Sequence, residues 1–135
     1  MPRKKDTISR FHQRYSLPVT DAALAVEREV IGANVGASGY TTVAQADALI
    51  PELRLRKETL LLDVGAGRGW PGLYLAQETG CRVVLADIPA PGLATAVKRA
   101  REGRISGRAS FVRAAAEHLP FLPAVFDAVV HTDTM

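Results

Sequence analysis

The run TLLLDVGAGRGWPG, Thr59 to Gly72, constrains the fold more than any other stretch of the chain. Thr59 to Val64 is an apolar run broken mainly by Asp63, with charge before it and glycine after it, the pattern of a strand buried in a parallel sheet. Gly65 to Gly69 must turn the chain. Pro71 suits a first helical turn, where its missing N–H is not needed, and Leu73, Leu75 and Ala76 line a helix that Gly80 ends. The same alternation then continues with a strand at Cys81 to Asp87 and a helix over Gly92 to Glu102. A strand follows near Ser110 to Ala114, then a connection through Glu117 to Pro123 and a last strand at Val125 to His131. Strands alternating with helices predict an α/β fold whose parallel sheet is wound by right-handed crossovers.

Upstream the period is helical. Thr20 or Asp21 can cap a helix over Ala22 to Ile31, stopped by Gly32 and Asn34. Thr42 and Gln45 spell a capping box that opens a second helix, closed or kinked by Pro51. The expected organisation is a basic tail over 1–20, a helical lead-in or lid over 21–58, and an α/β unit over 59–135. With 135 residues and 47% apolar content the chain suffices for one core. No apolar run approaches the roughly 20 residues that cross a bilayer, and the N-terminus lacks a secretory h-region, so no membrane partner is expected. Cys81 is the lone cysteine and permits no internal disulfide, which fits a reducing, cytoplasmic setting. Net charge is +3, drawn from the tail and from Lys98, Arg99, Arg101, Arg104 and Arg108. No nucleic-acid signature accompanies these clusters, so a solvated helix face is preferred to a phosphate-binding stripe, and no nucleic-acid partner is expected.

In parallel α/β sheets ligands sit beyond the carboxyl ends of the strands. Three groups fall there: DVGAGRG, Asp63 to Gly69; Asp87, ending the second strand; and AAAEHLPF with FDAVVHTD at the ends of the third and fourth strands. The first is expected to bring main-chain amides against a nucleoside, and Asp87 can accept both hydroxyls of a ribose. Gly67, Gly69 and Gly72, with Asp87 further on, also spell a dinucleotide fingerprint. Register weighs against it, because Gly65 already holds the place directly after the strand. Pro71 also removes an N–H from the helix start on which a pyrophosphate would rest.

Together LLLDVGAGRGWPGLYLA, VVLADIP, AAAEHLPF and FDAVVHTD resemble the ordered motifs of class I S-adenosylmethionine-dependent methyltransferases, and GYTTVAQADAL resembles the lead-in of bacterial small-molecule members. The resemblance covers Thr59 to Met135. It implies a Rossmann-like fold with a partial parallel sheet of order 3-2-1-4, S-adenosylmethionine as cofactor, no metal and a small-molecule acceptor. By the same resemblance Gly65, Ala66 and Gly67 lie under the methionine and ribose portions, and Asp63 helps hold the amino-acid end. Asp87 clamps the ribose and Ile88 lies against the adenine. The backbone of Ala116 meets the adenine edge, and the carbonyl of His131 lies near the methionine ammonium. Family members often carry an Asp where this chain has Ala115, and losing that hydrogen bond to the adenine is worth on the order of 1 kcal/mol.

Plainer roles stand beside these. Asp63 could cap the turn, yet a carboxylate ending an apolar strand pays for desolvation unless it has a partner. Tyr40 either closes over the methionine carboxylate or packs, and Trp70 is expected to fill space between its helix and the lead-in. His118 reads as a surface residue and Cys81 as a small buried hydrophobe. His131 is the weak candidate for a general base, with Asp133 nearby; a satisfied buried histidine and a helix cap fit the two equally well. The family fold continues where this chain stops, so the activity of the short chain is open, and the apolar edge of Val125 to His131 is expected to drive self-association. Two functions remain: the cofactor-binding portion of a small-molecule methyltransferase, or a non-catalytic nucleoside-binding or assembly module on the same fold.

Overall fold

The computed structural model of the chain describes residues 20–34, 41–115 and 124–131. Helix α1 (Asp21–Ile31) starts at Thr20, whose hydroxyl accepts the Ala23 N–H, and stops at Gly32 in the left-handed conformation. Helix α2 (Val43–Glu52) opens with both halves of the Thr42–Gln45 capping box, and Pro51 lies within its last turn. Then come β1 (Leu60–Val64), α3 (Gly72–Thr79), β2 (Arg82–Asp87), α4 (Ala90–Glu102), a short 3-10 turn, β3 (Ala109–Arg113) and β4 (Ala128–Val130). The four strands form a parallel sheet in the order β3-β2-β1-β4, as the sequence led us to expect.

Register aligns Leu61, Val83, Ala109 and Ala128 in one row, and Asp63, Leu85, Phe111 and Val130 two residues further on. Side chains alternate along strands, so both rows share one face. Against it lie α3, over β1 and β2, and α4, over β2 and β3, while α2 packs on α3. Leu61, Leu75, Leu85, Ala96 and Ala100 are buried in this core. Helix α4 buries Leu93, Ala96 and Ala100 and exposes Lys98 and Arg101, so those two cations occupy a solvated face. Arg108 is half-buried, with its Nη2 donating to the Ala76 carbonyl.

Two boundaries differ from expectation for definable reasons. Helix α4 begins at Ala90 rather than Gly92, because Pro91 sits in its first turn, where a fixed φ and a missing N–H cost nothing. The last strand is Ala128–Val130, far shorter than Val125 to His131. Ala124 turns at φ 61°, and Asp127 then pins the strand start: its N–H donates to the Leu60 carbonyl while its carboxylate accepts the Leu60 N–H. Among the described residues no helix is long and apolar enough to cross a membrane.

Candidate functional site

The carboxyl ends of β1 and β2 lie side by side, with Asp63 paired to Leu85 and Val64 to Ala86. The turn leaving β1 reaches its shape through glycines with φ of 73° at Gly65, 54° at Gly67 and 104° at Gly69, a region other residues enter only under strain. Gly72 is needed for a different reason. A Cβ there would lie 2.6 Å from Asp63 Oδ2 and 3.0 Å from Asp63 Cβ. The bare backbone lets the Gly72 N–H donate to Oδ2 at 2.8 Å, so the start of α3 closes directly on the end of β1.

Asp63 is 1% exposed. Burial pushes its carboxyl well above the ordinary carboxylate range; the Gly72 bond pulls it back in part, and the nearby Asp87 charge pushes it up again. Asp87 is half-buried and also shifted up, by burial first, against the amides of Ile88 and Gly67. Its two oxygens accept those amides at 2.8 and 2.7 Å, which ties the glycine turn to the end of β2. A carboxylate offers about four acceptor positions, so the Asp87 oxygens keep capacity for a diol.

Four of the five amides from Gly65 to Gly69 are committed within the protein. Gly65 and Ala66 both donate to the Ala86 carbonyl, Gly67 donates to Asp87, and Gly69 to the Ala66 carbonyl. Main-chain amides at these positions therefore do not face a ligand, contrary to the expectation from the motif. The chemical meaning is specific. A pyrophosphate cradle needs free N–H groups and positive potential, whereas here the amides of Gly65, Ala66, Gly67 and Gly69 are satisfied and the turn is bracketed by two carboxylates that interact with each other. Such a place suits a cation that also carries hydroxyl donors.

Most of the expected site residues come together. Asp63, Gly65, Ala66, Gly67, Asp87 and Ile88 form one continuous bonded set. Ala115 is half-buried and follows Ala114, whose N–H donates to the Asp87 carbonyl at 3.0 Å, so the end of β3 joins the same rim. His131 is exposed and directly follows Val130, whose Cα pairs with Asp63. Tyr40, Ala116, His118 and Asp133 lie outside the described residues. Cys81 is buried and free. Among the described residues no group of three His, Cys, Asp or Glu side chains converges to hold a metal ion. Two participants escaped the sequence analysis. Arg113, at the end of β3, donates from Nε to the Ile88 carbonyl at 2.8 Å, and no local pattern foretold it. Gly72 was visible only as the third glycine of a dinucleotide pattern, yet here it serves Asp63.

Comparison with known proteins agrees with this geometry. Residues 61–135, more than half of the chain, match a family model described as a methyltransferase domain. The chain is 38% identical over 89 residues to the ubiquinone/menaquinone biosynthesis C-methyltransferase UbiE of Rhizobium leguminosarum bv. trifolii, covering 63% of this chain and 34% of that protein. The chain thus spans about a third of the length of the curated relatives it matches. An S-adenosylmethionine-dependent methyltransferase from Geobacter sulfurreducens, solved with S-adenosylhomocysteine, aligns at a TM-score of 0.50 and 29% identity over 54% of this chain and 29% of that one. The [4+2]-cyclase SpnF aligns at 0.67 and 23% identity over 95% of this chain and 48% of that one, a likeness of fold alone.

Proposed function

The chain belongs to the class I S-adenosylmethionine-dependent methyltransferase family, and from that premise we propose that it binds S-adenosylmethionine across the ends of β1 and β2 for methyl transfer to a small-molecule acceptor. The carrying observation is that Asp63 and Asp87 bracket a turn in which the amides of Gly65, Ala66, Gly67 and Gly69 are already satisfied. That turn fits a cationic nucleoside and not a pyrophosphate, which sets aside a nicotinamide or flavin enzyme. When bound, the cofactor supplies an electrophilic methyl group on a sulfonium sulfur.

What the chain contributes is binding and alignment, which is most of what methyl transfer asks of a protein. Asp87 takes the ribose hydroxyls with the lone pairs left by Gly67 and Ile88, and Ile88 lies against the adenine. Gly65, Ala66 and Gly67 pass beneath the ribose and methionine portions without a Cβ at either glycine. Asp63, raised by burial, is stabilised as an anion by the ligand's positive charge and helps hold the amino-acid end, with the His131 carbonyl beside it. Ala116 and Tyr40 keep the roles that the family motifs suggest for them, the adenine edge and the methionine carboxylate. Ala115 leaves the adenine amino group without a carboxylate, so affinity is set chiefly by Asp87. His131, which follows the Val130 that pairs with Asp63, is the candidate to accept a proton from the acceptor. The kinship with a quinone C-methyltransferase supports a small organic acceptor.

Titration calorimetry with S-adenosylmethionine and S-adenosylhomocysteine, followed by an acceptor screen read by mass spectrometry, tests this proposal. Binding of both with methylated product supports the enzyme; binding without product across the screen favours the non-catalytic module. Absence of binding removes the proposal. We place self-association on β4 and the segment before it, where Val129 and Val125 are 53% and 43% exposed, and sedimentation over a dilution series that shows monomer throughout would remove it.

A further inference from the structure

Trp70 stands directly after the glycine turn, and its contacts lead away from the sheet. It is 7% exposed, and its indole Nε1–H donates to the Thr41 carbonyl at 2.9 Å, immediately before α2. Its ring packs on Tyr74, one turn along α3, with centroids 5.2 Å apart and planes tilted by 48°. The Tyr74 hydroxyl in turn donates to Asp47 Oδ1 on α2. That bond holds the Tyr74 hydroxyl up at about 12, so it keeps its proton throughout the neutral range. Two points on the lead-in, one before α2 and one within it, are thus fastened to two aromatic residues that follow the turn.

Either bond alone would be ordinary packing. Together they tie α2 to the chain that leaves the glycine turn, so a ligand seated on Gly65 to Gly69 bears on the backbone from which Trp70 projects. We infer that Trp70 is a positioning residue that couples cofactor binding at the glycine turn to the docking of α2, through Thr41 and through Tyr74 to Asp47. Coupling of this kind is reciprocal: if the bound cofactor steadies α2, a docked α2 tightens the cofactor by the same factor. The inference rests on the cofactor proposal above and adds to it a route by which the lead-in senses an occupied site.

The test is hydrogen exchange of the full chain over residues 41–52, with and without S-adenosylmethionine, for the wild type, Trp70→Phe and Tyr74→Phe. Calorimetric affinities are measured on the same samples. In the wild type, saturating cofactor should slow exchange in 41–52. Trp70→Phe keeps a ring but loses the N–H, so it should weaken the cofactor by roughly 3- to 10-fold and abolish that slowing. Tyr74→Phe should halve the effect or more while leaving the fold intact, and it carries the test if Trp70→Phe does not fold. Binding without slowing in the wild type overturns the coupling alone. Slowing that survives in both variants overturns the role of Trp70 and Tyr74. Loss of all binding in the wild type overturns the cofactor proposal first and the coupling with it. The chain has one tryptophan, so its emission should also shift during the titration, and a constant spectrum at saturation counts against a responsive Trp70.

Discussion

Replacing Gly72 with alanine should destabilise the chain, although the change is the one usually made to strengthen a helix. Gly72 opens α3, where alanine is favoured over glycine by at most about 1 kcal/mol. Against this stands the new Cβ, 2.6 Å from Asp63 Oδ2, 3.0 Å from its Cβ and 3.2 Å from its Cγ. The Oδ2 and Cγ atoms can move by rotation about Cα–Cβ, but Cβ is fixed to the strand backbone and cannot swing away. Overpacking of this kind costs about 1–3 kcal/mol. Displacing the carboxylate also breaks the Gly72 bond to a buried acceptor, for about 1–3 kcal/mol more. The net loss is about 1–5 kcal/mol, read from urea denaturation of the two proteins side by side. Gly107→Ala is the control, since its added Cβ meets nothing within 4 Å, and it should move stability by no more than about 0.5 kcal/mol. A Gly72→Ala protein as stable as the wild type, or more so, would refute the tight closure of α3 on Asp63.

Other outcomes follow from the same geometry. Asp87→Asn keeps the side-chain shape but puts an amide N–H₂ where an oxygen now accepts Gly67 or Ile88, so affinity for S-adenosylmethionine should fall tenfold or more by calorimetry, on the order of 1.4 kcal/mol. Asp63 is raised above 3.8 in the folded state, so the folded chain binds its proton more tightly than the unfolded chain does. The Asp63 contribution to stability is therefore fully present below its unfolded-state value and is lost as pH rises through the folded-state value; Asp87 acts with the same sign, and Asp63→Asn should flatten the slope in acid-to-neutral melting curves. Leu85→Ala, at a fully buried site on β2, should cost about 2–5 kcal/mol in the same denaturation assay.

What the amino-acid sequence revealed and what it hid divide along physical lines. The run from Leu60 to Val64 and its glycine turn were legible because burial and backbone shape depend on residue type at each position. The caps at Thr20 and Thr42 were legible for the same reason, since a hydroxyl at that spacing has few other partners. The direction of the turn's amides was hidden. Glycine permits the φ of Gly65 and Gly67, but whether their N–H groups face a ligand or the Ala86 carbonyl and Asp87 depends on how β2 lies beside them. The start of α4 was hidden because two prolines suggest a loop, while Pro91 is well placed in a first turn. Trp70 was expected between its helix and the lead-in and is found there, but its Thr41 partner, 29 positions away, and the Tyr74 contact with Asp47, 27 positions away, are pairs that no local pattern encodes.

The claim that the Asp63 to Asp87 rim receives a cationic nucleoside is tested most directly by amide chemical-shift mapping. S-adenosylmethionine added to isotope-labelled chain should move the resonances of Gly65 to Gly69, Asp87 and Ile88 first and furthest, with oxidised nicotinamide dinucleotide leaving them in place at equal concentration. Shifts produced instead by the dinucleotide, or confined to residues away from the ends of β1 and β2, would contradict it.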